Sequence, residues 1–173
     1  MVKLINGRGQ LGDKLLRGLK DWDTNQDVNI YHTWKVPHLC DIKETEEEFQ
    51  RKEYNKLVEF SINNQHTKII FISTNSNRQT YYSYYKELAE AYLLLNHKES
   101  IILKFPVFVG NGILKKLSNG EMSPYGTMEV ITLNKAVNTI KEFLHGSGRL
   151  KRVYTIPGEK LEAETIVEIL NIK

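Results

Sequence analysis

The chain opens with Val2-Lys3-Leu4-Ile5-Asn6-Gly7-Arg8-Gly9-Gln10-Leu11-Gly12, and this run limits the fold more than any other. A short apolar segment leads into Gly-x-Gly-x-x-Gly. Leu11, Leu15, Leu16, Leu19 and Trp22 then recur on one helical stripe. Strand, glycine turn and helix in that order predict the first unit of a parallel α/β sheet. Gly7 would make the tight turn, Gly9 would let the backbone approach a pyrophosphate, and Gly12 would let the helix pack closely on the strand. The first N–H groups of the helix would face the phosphates. The same run also reads as a glycine-rich turn that binds nothing.

The rest of the chain repeats the alternation. Strands are expected at 2–6, 28–31, 68–74, 100–105 and 153–156. Helices are expected at 11–22, 44–63, 80–96, 133–144 and 162–169. The run Lys-Ile-Ile-Phe-Ile-Ser-Thr at 68–74 is continuously apolar over strand length, as in a strand covered on both faces. Such a pattern predicts a Rossmann-like α/β fold: a doubly wound, mostly parallel sheet with helices on both faces. The least regular stretch, 108–129, is rich in Gly, Asn and Ser. It follows a strand, where ligands of open α/β sheets usually bind.

Composition narrows the class. With 173 residues, 40% of them hydrophobic, the chain can build one real core, so a single domain over 1–173 is expected. Cys40 is the only cysteine, which excludes an intrachain disulfide and a cysteine metal site. The five histidines show no metal spacing. A net charge of +3 gives no reason to expect a nucleic-acid partner. Lys115-Lys116 and Arg149 to Arg152 read as solvated surface. No apolar run approaches the ~18 residues of a membrane span, and no secretory pattern is visible at the start. A cytoplasmic location is expected.

One further pattern carries chemistry. Tyr81-Tyr82-Ser83-Tyr84-Tyr85-Lys86 places Tyr82 and Lys86 four residues apart on a strongly helical sequence, hence on one face. A lysine ammonium beside a phenol favours the phenolate and lowers its pKa, making a group that can remove a hydroxyl proton. A tyrosine-rich helix face is also a packing or contact surface.

The order of these features resembles an extended short-chain dehydrogenase/reductase, nearest the nucleotide-sugar epimerases, dehydratases and 4-keto-sugar reductases. Gly9-Gln10-Leu11-Gly12 is similar to the deoxysugar reductases' Gly-Gln-Leu-Gly. Cys40-Asp41-Ile42 resembles the family's Asp-Ile/Val-Thr-Asp segment by the adenine. Phe71-Ile72-Ser73-Thr74 resembles the strand ending in the catalytic serine or threonine. Tyr82, Lys86 and Glu90 resemble Tyr-x-x-x-Lys-x-x-x-Glu. The run 102–110 resembles Leu-Arg-x-x-x-Val-Tyr-Gly, and Tyr154-Thr155-Ile156-Pro157-Gly158 resembles the late strand. The departures are a much shorter chain and a glycine turn one residue tighter than usual. One strand–helix unit is missing between Asp41 and Ser73, and only a residual substrate-binding segment remains, at 107–129.

The resemblance implies the following roles. Tyr82 would exchange the proton of a sugar hydroxyl or keto group. Lys86 would favour the Tyr82 phenolate and hold the nicotinamide ribose. Thr74, in preference to Ser73, would hydrogen-bond the substrate oxygen. Gly7, Arg8, Gly9, Gln10, Leu11 and Gly12 would cradle the cofactor phosphates, with Lys35, Asp41 and Ile42 also at the cofactor. Phe105, Pro106 and Val107 would wall the nicotinamide. Either NADP or NAD would serve. Lys35 and the absence of an acid after Tyr31 tilt the choice toward NADP. The expected substrate is a nucleotide sugar, and a homodimer is expected through the 44–63 and 80–96 helices. Two other readings stay open: a non-catalytic binder of a dinucleotide or nucleotide sugar, and an interaction protein that kept only the fold, with Tyr81, Tyr84 and Tyr85 as contact surface.

Overall fold

The computed structural model describes residues 1–5, 9–19, 27–32, 34, 44–76, 79–109, 126–145 and 151–171. Five parallel strands form the main sheet: β1 (Val2–Ile5), β2 (Val28–Tyr31), β3 (Lys68–Thr74), β4 (Ser100–Phe105) and β7 (Val153–Thr155). A second sheet holds β5 (Val107–Val109), β6 (Thr127–Thr132) and β8 (Glu159–Glu162). Strand β6 runs parallel to β5 and antiparallel to β8. The helices are α1 (Gln10–Gly18), α2 (Glu46–Asn63), α3 (Tyr81–Asn96), α4 (Leu133–His145) and α5 (Ala163–Asn171). The chain thus has the Rossmann-like α/β class.

Strand alternation builds two cores. In register across β2, β3 and β4, Ile30, Ile70 and Ile101 face one side, and Tyr31, Phe71 and Ile102 face the other. The first row packs with Leu11 and Leu15 of α1 and with Ala136, Ile140 and Phe143 of α4. The second packs with Leu57 of α2 and with Tyr85, Ala89 and Leu93 of α3. Each such side chain buried contributes about 1.5–3 kcal/mol. Helices α2 and α3 start sharply because Thr45 forms a capping box with Glu48 and Thr80 accepts from the Ser83 N–H. At the other end of α3, the Arg152 guanidinium donates to the carbonyls of Leu93 and Leu94, satisfying groups that a helix terminus leaves open.

The strand order is β1-β2-β3-β4-β7, so each strand lies beside its predecessor in the sheet. Helices α1 and α2 nevertheless cover opposite faces. Two crossovers moving the same way over opposite faces have opposite hands, so one departs from the right-handed rule. In the usual order, 3-2-1-4-5-6, the first strand is central and the fourth lies beside it. Here β2 lies beside β1, a place that the second or the fourth strand takes in that order. Only nine residues separate the end of α1 from β2. A parallel strand needs a crossover of a dozen or more, so no further strand–helix unit fits there.

Several expected boundaries move. Helix α1 ends at Gly18, not at 22, and any Cβ on Gly18 would crowd Val137 of α4 at 3.1 Å. The expected irregular stretch, 108–129, takes in the end of β5 and the first half of β6. The last helix begins at Ala163, because 159–162 forms strand β8. That strand, Glu-Lys-Leu-Glu, carries the charges typical of a sheet edge and is held by pairing with β6.

Candidate functional site

Because the main strands are parallel, the glycine turn after β1, the residues after β2, the end of β3, the start of α3 and the end of β4 all gather at the carboxyl end of the sheet. Gly9 sits there with φ +114°, a conformation open essentially to glycine. It is the N-cap of α1, and among the described residues no side chain caps the helix and nothing lies within 4 Å of a Cβ added to it. Gln10 is exposed, while Leu11 and Gly12 are buried against the core. Gly9 therefore starts a helix whose first N–H groups, uncapped among the described residues, suit an anion. Gly7, Arg8, Lys35, Asp41 and Ile42 lie outside the described residues.

Lys86 is 3% exposed. Its ammonium donates to the Ile72 carbonyl at 2.7 Å and lies 5.3 Å from the Trp34 ring centre, 5.0 Å from Phe71 and 5.5 Å from Tyr82. Burial pulls its pKa down to about 7, while Glu90 and Glu53 partly restore the charged form. Tyr82 does bring its ring to Lys86, but the acidified phenol expected from the sequence is not found. Burial pushes the Tyr82 hydroxyl up to about 12. Desolvation of a phenolate outweighs a cation that meets the ring face.

Strand phase separates Ser73 from Thr74. Ser73 shares the parity of Ile69 and Phe71 and faces α3, where its hydroxyl donates to Glu90 at 2.5 Å. Thr74 has the parity of Ile70 and Ile72, and its Oγ1 accepts from the Ser76 N–H at 3.1 Å. Ser73, not the preferred Thr74, thus lies on the sheet face shared with Tyr82 and Lys86. Phe105 is a core residue, 1% exposed and 5.4 Å from Phe108. Pro106 is buried, and Val107 begins the second sheet and packs near Val130 and Ile166. Tyr85, expected at the surface, is buried against Tyr54 of α2; Tyr81 and Tyr84 are exposed.

Several site residues escaped the sequence reading. The Trp34 indole N–H donates to Gln50 at 2.5 Å, which fixes the ring beside Lys86. Glu90, already named in the Tyr-x-x-x-Lys-x-x-x-Glu resemblance, accepts from both Ser73 and Lys104. His32, directly after β2, has a buried Nε2 with no hydrogen-bond partner among the described residues. Burial, and next the Lys86 charge, lower its pKa to about 4, so the ring is neutral at pH 7. The only signal for His32 and Trp34 in the sequence was position, directly after a strand; Gln50 carried none. A cleft of about 1030 Å³ between the first turns of α2 and α3 is lined by Glu46, Thr80, Tyr81, Ser83, Tyr84 and Glu87.

No protein-family model and no curated protein sequence matches the chain. Solved structures do. The enzyme WbmG of Bordetella bronchiseptica, in complex with NAD, superposes with a TM-score of 0.66 at 12% identity, over 98% of this chain and 76% of that one. MoeE5, in complex with UDP-glucose and NAD, gives 0.72 at 13% identity, over 97% and 80%. The dTDP-4-dehydrorhamnose reductase of Bacillus anthracis, in complex with NADP, gives 0.70 at 15% identity, over 99% and 81%. These likenesses establish a shared Rossmann-type fold. Within the described residues, no helix is long and apolar enough to cross a membrane.

Proposed function

We propose that the chain binds a nicotinamide nucleotide at the carboxyl end of its main sheet and acts as an oxidoreductase on a nucleotide sugar. The observation that carries this reading is the convergence of the Gly9 turn, Ser73, Tyr82 and Lys86 at one end of a parallel sheet. It is supported by a fold shared with proteins that hold NAD, NADP and UDP-glucose. Gly9 and Gly12, with the first N–H groups of α1, would hold phosphate. Lys86 would meet the nicotinamide ribose. When bound, the nicotinamide supplies hydride chemistry.

In this reading Tyr82 faces the reacting oxygen. A phenol held at about 12 keeps its proton at neutral pH, so Tyr82 is suited to donate to a carbonyl oxygen, the reductive direction. Ser73 adds a second polar group on that face. The small sheet of β5, β6 and β8 with α5 would contribute to holding the sugar, which extends the residual substrate segment 107–129 to include 159–171. A homodimer would form through the outer faces of α2 and α3, where Ile62, Tyr81, Tyr84 and Leu95 are exposed.

A second reading is a binder without turnover. It is favoured by the Ser73 hydroxyl, whose hydrogen is committed to Glu90. Calorimetric titration with NADH and NADPH, followed by turnover of 4-keto-sugar nucleotides, separates the readings. Binding plus turnover that Tyr82→Phe abolishes is expected. Binding with no turnover selects the second reading, and no binding removes both.

A further inference from the structure

Glu129 on β6 joins three segments that lie far apart in the chain. One of its carboxylate oxygens accepts from the Gly158 N–H at 2.7 Å, in the turn between β7 and β8. The other accepts from the Asn75 carboxamide at 3.3 Å, just past the end of β3. Asn75 is itself fixed, because its backbone N–H donates to the carbonyl of Phe105, the last residue of β4. The carboxylate therefore reaches from the small sheet to the carboxyl end of the main one, next to Ser73 and Thr74 in the chain.

Strand phase directs Glu129 there. It shares the parity of Ile131, which packs in the core of the main sheet, whereas Met128 and Val130 pack with Ile166 of α5. Gly158 makes the close approach possible, since a Cβ there would lie 2.9 Å from the Glu129 Cγ and 2.6 Å from the Val130 carbonyl. Hydrogen bonds to a carboxylate are roughly twice as strong as neutral ones. A strand held through both oxygens keeps its distance from β3. That distance matters at a site, where a misplacement of about 1 Å can lower a rate on the order of a hundredfold.

Resting on the reading that the small sheet holds the sugar, we infer that Glu129 is a positioning residue for the nucleotide sugar. Through Asn75 and Gly158 it sets how far the sugar-holding sheet stands from Ser73 and Tyr82. The nicotinamide nucleotide, held at the Gly9 turn and by Lys86, does not depend on it.

The test is calorimetry with NADH, and then with UDP-glucose and dTDP-glucose on the NADH-loaded chain, with melting temperatures alongside. Wild type is compared with Glu129→Ala, Glu129→Gln and Asn75→Ala. Both alanine variants are expected to weaken the sugar nucleotide at least about tenfold and NADH by less than about twofold. Glu129→Gln should stay within about threefold of wild type, because its carbonyl accepts from Gly158 and its NH2 donates to a turned Asn75 carboxamide. Asn75→Ala leaves the Gly158 bond in place, so it tests the clasp even if Glu129→Ala fails to fold. Unchanged sugar binding in Asn75→Ala overturns the inference. So does NADH affinity that falls in step with the sugar's, which marks a purely structural contact, or a Gln variant as weak as Ala, which marks a direct charge contact. A wild-type chain that binds NADH but neither sugar nucleotide overturns the inference together with the sugar reading and leaves nucleotide binding standing. No heat from any of the three ligands removes the whole proposed function.

Discussion

Ser73 donates its hydroxyl hydrogen to Glu90 across 2.5 Å, while Lys104, its register partner on β4, reaches the other oxygen of the same carboxylate at 3.1 Å. One helix side chain thereby ties together two strands just below the candidate site. Glu90 is also the main charge favouring the ammonium form of Lys86. Replacing Glu90 with Gln keeps an acceptor and removes the charge. The variant is expected to lose about 1–3 kcal/mol of stability, as for a buried group stripped of its ionic partner. Lys86 should titrate lower still. Urea unfolding and an NMR titration of the Lys86 ammonium check both; unchanged values would mean that the carboxylate is not shared.

Three buried groups at the candidate site contribute to the pH dependence of stability. His32 titrates near 4 in the fold against 6.5 ordinarily, so the unfolded chain binds more protons between those values and stability rises with pH. Lys86, at about 7 against 10.5, has the same sign: its cost is fully present below 7 and is relieved as pH climbs toward 10.5. Tyr82, raised to about 12, acts oppositely above 10, where the unfolded chain loses its proton first. Stability should therefore climb across 7 to 10 and peak near 10, where the loss at Tyr82 begins to oppose the gain at Lys86. Lys86→Met should flatten the rise above 7 and stabilise the chain at lower pH. Thermal unfolding of both proteins across this window measures it, and parallel curves would contradict the burial of the charge.

Gly9 and Gly158 resist substitution for different reasons. At Gly9 an added Cβ has open space, and the obstacle is φ +114°. Gly9→Ala should cost about 1–3 kcal/mol by backbone strain and weaken nucleotide binding in parallel. At Gly158 the Cβ would lie 2.6 Å from the Val130 carbonyl and 2.9 Å from Pro106, where the two sheets meet. Gly158→Ala should shift that junction and spare the nucleotide. Denaturation together with calorimetry distinguishes the two patterns.

Leu95 is 84% exposed and Tyr84 56% on the outer face of α3. If copies of the chain pair through α2 and α3, Leu95→Glu with Tyr84→Glu should shift sedimentation from dimer to monomer without lowering the melting temperature of the separated chain. A wild-type chain that sediments as a monomer at all concentrations would exclude this pairing.

Local chemistry made most elements readable in advance. The runs 68–74 and 100–105 are apolar for strand length and bounded by polar residues, and both strands have those limits. The caps at Thr45 and Thr80 mark where α2 and α3 begin. Strand β8 was not readable, because Glu-Lys-Leu-Glu becomes a strand only by pairing with β6, a partner some thirty positions away. Ser73 and Thr74 could not be told apart because a one-residue change of phase reverses the face, and phase is set by what each side packs against.

The amino-acid sequence alone determined the α/β class, the glycine turn and the joining of Tyr82 to Lys86, because these depend on periodicity and on spacing within one element. The tertiary structure decided the order of strands, the neighbour of β1, the alliance of Ser73 with Glu90, and the rise rather than fall of the Tyr82 pKa. Each of those depends on which distant segments meet and how much water they exclude, and neither quantity is carried by any local stretch of residues.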